Sequence, residues 1–66
     1  MFVSFKRSEE SPIKVDVKKL IAYEPSGNRS YPADEYTALI FAHSILYVNE
    51  PFASVDEKVM TAEAID

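Results

Sequence analysis

The stretch from Tyr36 to Val48, Tyr-Thr-Ala-Leu-Ile-Phe-Ala-His-Ser-Ile-Leu-Tyr-Val, is the most apolar in the chain, and any core must form on it. Counted in twos, Tyr36, Ala38, Ile40 and Ala42 fall on one side of an extended strand, and Thr37, Leu39, Phe41 and His43 on the other. Both sides are largely apolar. A strand of that kind needs cover on two faces, which in a short chain implies a small barrel or a second subunit. The same residues also fit a helical period. Tyr36, Leu39, Ile40, His43, Leu46 and Tyr47 would share a stripe, with Pro32 to Glu35 as a first turn. Residue type favours the strand pair, because Tyr, Thr, Ile, Phe and Val are strand formers and the helical stripe leaves Phe41 and Ile45 outside. Hairpin and helix both stand as readings of residues 33–48, with the hairpin preferred. Its tight turn would be Ala42, His43 and Ser44, His being among the side chains that tolerate a positive φ.

The chain has 66 residues, enough for a single domain spanning 1–66. A domain near this size buries only about 60% of the surface its unfolded chain exposes, so it needs help to be stable. There is no Cys and only one His, which removes disulfides and makes a structural zinc site improbable. Oligomerisation is the device left, and a homo-oligomer is the expectation. No cofactor or metal is expected. The absence of Cys and of a signal-peptide pattern, with no apolar run near the roughly 20 residues of a membrane span, predicts a cytoplasmic protein with no membrane partner.

The net charge of −4 is unevenly placed. Residues 1–33 carry six basic and four acidic side chains, a net of +2, and residues 34–66 carry Lys58 against seven acidic ones, a net of −6. The two halves are expected to attract each other in the fold. An acidic whole disfavours nucleic acid as the main ligand, because neutralising phosphates needs a surplus of Lys and Arg on one face.

Along the chain, Phe2 to Lys6 alternates Phe2, Ser4 and Lys6 against Val3 and Phe5, a first strand. A polar turn from Ser8 to Pro12 leads to Ile13–Val17, whose three β-branched residues share one face while Lys14 and Asp16 share the other. These two segments pair as a hairpin. The phase slips at Lys18 and Lys19, which predicts a bulge or one helical turn before a short third strand, Leu20–Glu24. Pro25 to Asp34 holds the single Gly and two of the four Pro, and reads as a long, mobile loop. Asn49, Glu50 and Pro51 end the fifth strand. Ser54 and Glu57 have capping-box spacing, and Val55, Val59 and Ala62 share a face, so a helix is expected over about Val55–Ala64 with Phe52 packed at its start. The fold class is therefore α+β: a small antiparallel sheet or partly closed barrel of about five strands, with one C-terminal helix.

This order of elements, carried by Val48, Asn49 and Glu50 and by the Ser54–Val59 helix start, resembles the C-terminal half of the small flagellar FlbD-type proteins and similar short phage and bacterial open reading frames. The N-terminal strands are similar in outline. The Asn-Gly turn of that family is replaced here by Ala42 and His43, and the loop from Pro25 to Asp34 is longer. The resemblance supplies no catalytic residues and implies a small non-enzymatic accessory protein.

Residue chemistry points the same way. His43 has no orienting carboxylate within its motif, Ser44 lacks the glycines of a nucleophile elbow, and no phosphate loop or metal-ligand spacing occurs. The acidic pairs Glu9-Glu10, Asp34-Glu35 and Asp56-Glu57 read as a solvated turn, a loop and a helix start. The eight aromatic residues are more than so small a core can bury. We therefore expect a non-catalytic, self-associating protein-interaction module, with Tyr36, Leu39, Phe41, Leu46, Tyr47 and Phe52 as the candidate interface. Two alternatives stay open. One is a nucleic-acid-binding small barrel using a basic edge of Lys6, Arg7, Lys14, Lys18 and Lys19. The other is an acidic inhibitor of a host enzyme.

Overall fold

A computed structural model describes residues 1–65. Among them the chain forms strands β1 (Phe2–Phe5), β2 (Ile13–Asp16), β3 (Ala22–Pro25), β4 (Thr37–Ile40) and β5 (Ile45–Val48), and helix α1 (Phe52–Ile65). β1 and β2 pair antiparallel as one sheet, and β3, β4 and β5 form a second antiparallel sheet in that order. The barrel is not closed. The two sheets meet at one end through a single backbone hydrogen bond, in which the Asn49 amide donates to the Lys6 carbonyl at 2.8 Å.

The period-two reading of the first two strands holds. Val3 and Phe5 face inward opposite Val15 and Ile13, and Phe2, Ser4 and Lys14 face solvent. After Asp16 a single 3-10 turn, Val17–Lys19, absorbs the phase slip, with the Asp16 carboxylate accepting from the Lys18 amide at 3.1 Å. The third strand starts at Ala22, two residues later than its sequence pattern, and runs on through Pro25, which sits at the sheet's edge where no ladder amide is needed.

Residues 37–48 are a hairpin. Phe41 donates its amide to the Ser44 carbonyl at 2.9 Å and closes the turn around Ala42 and His43. No non-glycine residue has a positive φ among those described, so His43 is not there for left-handed backbone. The helical alternative survives as one turn: the amides of Glu35 and Tyr36 both donate to the Pro32 carbonyl. Then the β-branched and aromatic residues take over and the chain extends. The preceding loop holds itself by short-range bonds, from the Asn28 amide to Ser26 Oγ and from the Ser30 amide to Asn28 Oδ1.

The core is shared by every element except β3. Phe5, Val15, Leu39, Val48, Val55 and Val59 form one buried cluster, and Leu20, Tyr23, Phe41 and Leu46 pack partly against it. The helix delivers Val55, Val59 and Ala62 to it, as their spacing predicts. The helix begins at Phe52, however, three residues before the expected position. Ser54 lies inside the first turn, so the capping box with Glu57 does not form.

With so few core side chains, each carries weight. Replacing Leu39 by Ala is expected to cost about 2–5 kcal/mol, most of the stability of a domain this small. The urea midpoint followed by circular dichroism should fall sharply or vanish; an unchanged midpoint would show that Leu39 is not central.

Candidate functional site

The polar constellation with the most hydrogen bonds is built on Glu50, in the bend between β5 and α1. Its side chain is only 5% exposed. One carboxylate oxygen, Oε2, accepts from the Lys6 backbone amide at 2.8 Å and from Lys58 Nζ at 2.7 Å; the other, Oε1, accepts from Ser54 Oγ at 2.7 Å. Glu50, Ser54 and Lys58 are spaced four residues apart, which on a helical path brings all three to one side. The Glu50 backbone carbonyl accepts from the fully buried Thr37 hydroxyl at 2.8 Å. Lys58 completes the set by donating to the Ser4 carbonyl at 3.0 Å, with Nζ 5.3 Å from the Phe5 ring centre.

These bonds have a common geometric meaning. The Val17 amide donates to the Met1 carbonyl, and in an antiparallel ladder this fixes the parity: Met1, Val3 and Phe5 bond β2, while Phe2, Ser4 and Lys6 turn their backbone groups outward. The Lys58–Glu50 ion pair occupies that outer edge. Its ammonium takes the Ser4 carbonyl and its carboxylate takes the Lys6 amide, so two side chains stand where the peptide groups of another strand would be.

Burial works to raise the Glu50 pKa, but the hydrogen bonds from Lys58, Lys6 and Ser54 and the Lys58 charge outweigh it and hold the carboxyl below the ordinary glutamate range. Asp16 is lowered chiefly by the Lys18 amide, against a smaller desolvation effect. Tyr23 donates its hydroxyl to Asp56 Oδ1 at 2.8 Å, and that bond, with burial, raises its pKa.

The residues nominated from sequence do not form one surface. Leu39 is fully buried, so it belongs to the core and offers no face to a partner. Phe41 and Leu46 are half-buried against the core and line a cleft between β2 and β5. Phe52 packs on Tyr23 with ring centres 5.6 Å apart. Only Tyr36 and Tyr47 come together, through Tyr31, whose ring centre lies 5.0 Å from Tyr36 and 4.7 Å from Tyr47, stacked on the latter.

That stack explains how the outer face of the three-stranded sheet is covered, and where it is not. Tyr47 is the cross-strand partner of Ala38, and Ala38 is buried beside the ring stack although it points away from the core. Two residues further along, the row Ala22, Ile40 and Ile45 has no such roof: the three are in register, and Ile45 is 54% exposed. Ile21, next in the chain, is 66% exposed. Sequence reasoning put Ile40 on the correct face but missed the row, because only the register across the turn sets Ile45 opposite Ile40.

The basic residues are dispersed. Arg7 is bonded to the Ser11 carbonyl and paired with Glu10 at 2.7 Å; Lys14 and Lys19 line the cleft beside β5, with Asp16 among them. His43 is exposed on the β4–β5 turn. No group of three or more His, Cys, Asp or Glu side chains is placed to hold a metal among the described residues, and no described helix is long and apolar enough to cross a membrane. No family model, curated protein or solved structure matches the chain.

Because Glu50 is lowered in the folded state, its contribution to stability is complete above the ordinary glutamate pKa and is lost as pH falls through the lowered folded-state value. Glu50→Gln is expected to cost about 1.5–3 kcal/mol at neutral pH, the scale of hydrogen bonds to a charged group, and to flatten the loss of stability below that range. Urea titrations of both proteins across the acid range check this, and parallel curves would refute it.

Proposed function

We propose that this protein is a non-catalytic interaction module that self-associates through the open half of its outer sheet face. The observation that carries the reading is the in-register row Ala22, Ile40 and Ile45, left uncovered while the neighbouring Ala38 is buried beside the tyrosine stack. A flat, uncharged apolar row on a twisted sheet is suited to a second sheet packed about 10 Å away.

The row carries no charged side chain, so two copies can meet there without burying an unpaired charge, and Lys19 lies apart from it in the cleft beside the β4–β5 turn. The row is small, well under the roughly 800 Å² per partner of a standard interface, so association is weak and depends on concentration. The resemblance to FlbD-type proteins adds the role of a small bacterial or phage accessory factor.

Sedimentation equilibrium over a wide concentration range should show a rising mass for the native chain. Ile45→Asp should abolish the rise while leaving the circular dichroism spectrum and melting temperature nearly unchanged, since Ile45 is exposed and outside the core. A native chain that stays monomeric at millimolar concentration overturns the proposal.

A further inference from the structure

We infer that the groove between β1 and α1 is a second, separate docking site, which takes an extended peptide strand of another protein carrying a basic side chain. The groove is about 550 Å³ and is lined by Met1, Phe2, Val3 and Ser4 on one wall and by Ser54, Glu57, Lys58, Thr61 and Ala62 on the other. By the parity fixed above, the N–H and C=O of Phe2 and the N–H of Ser4 point away from β2 and toward this side, and no described protein group bonds them. An exposed strand edge of this kind is a template for one more strand.

The edge is half closed already. Beyond Ser4, the Lys58–Glu50 pair and the Asn49 amide occupy its outward groups, so an added strand must stop there. What remains open is a short run at Phe2 to Ser4, with apolar walls in Phe2, which is 67% exposed, and Met1, which is 39% exposed.

Charge selects the occupant. Lys58 is neutralised by Glu50, which leaves Glu57 as the only carboxylate on the groove's helical wall with no partner of its own. A strand alternating apolar residues with Lys or Arg supplies both the backbone bonds and the missing positive charge. This site shares no residue with the row on the outer sheet face, so it stands or falls independently of self-association.

The test uses the full chain and a blocked heptapeptide, Val-Lys-Val-Thr-Val-Lys-Val, against its glutamate counterpart, Val-Glu-Val-Thr-Val-Glu-Val. Hydrogen exchange of the Ser4 amide, read by NMR, should slow about tenfold with the lysine peptide at saturation. The glutamate peptide should bind about fivefold more weakly, the scale of one exposed ion pair, and Glu57→Lys should reverse that preference. Ser4 exchange unchanged by millimolar lysine peptide overturns the inference. So does a preference that Glu57→Lys leaves intact, or Ser4 protection that appears on raising protein concentration alone, which would assign the edge to a second copy.

Discussion

The carboxylate of Glu50 joins parts of the chain that otherwise have little hold on one another. β1 and β2 form their own sheet, β3 to β5 another, and the helix comes last in sequence. Through its two oxygens and its carbonyl, Glu50 touches the end of β1 at Lys6, the start of β4 at Thr37 and two turns of α1 at Ser54 and Lys58. A buried carboxylate is costly when unpaired, and here every oxygen is satisfied by at least one donor. The same penalty that would make it destabilising elsewhere makes the alternatives worse: any packing that moves α1 away from β1 strands the charge. Apolar contact drives the collapse, and Glu50 fixes which way the pieces lie.

The core explains why such a fixing device matters. Its fully buried large side chains are few, Phe5, Leu39, Val48, Val55 and Thr37 among them, and a domain near this size has little stability to spare. Non-directional burial by Val and Leu would tolerate several placements of a two-stranded sheet on a three-stranded one. Directional bonds at Lys6, Thr37 and Ser4 remove that freedom. The Tyr23 hydroxyl on Asp56 does the same for β3, which contributes only a partly buried ring to the core.

This arrangement leaves one sheet face and one strand edge partly open. The loop before β4 is held by its own Asn28 and Ser26 bonds and brings Tyr31 onto Tyr47, closing half of the outer face. The ion pair closes half of the β1 edge. Each device stops partway, leaving the row Ala22, Ile40 and Ile45 in one place and three unbonded backbone groups at Phe2 and Ser4 in the other.

Much of the architecture was legible in the residues themselves. The alternation of Phe2–Lys6 and Ile13–Val17, the slip at Lys18 and Lys19, the strand-forming residues of 37–48 and the Val55, Val59, Ala62 stripe are local signals, and local geometry obeys them. The two-faced apolar character of the central run called for cover on both sides, and within the chain the outer face is covered only in part, beside the tyrosine stack. What the chain could not declare locally was anything set by distance in sequence. The helix starts at Phe52 rather than after Ser54 because Ser54 gives its hydroxyl to Glu50, and Glu50 is held by an amide 44 residues away. Leu39 looked like an interface residue and is core, because burial depends on which sheet lies above it. The Ala22, Ile40 and Ile45 row exists only once register is set across two strand pairs. Outside residues 33–48, where hairpin and helix both stood, sequence alone determined which segments extend and which coil, since those follow from each residue and its near neighbours; tertiary structure decided which apolar groups are hidden and which carboxylate is buried, since those follow from what packs against them.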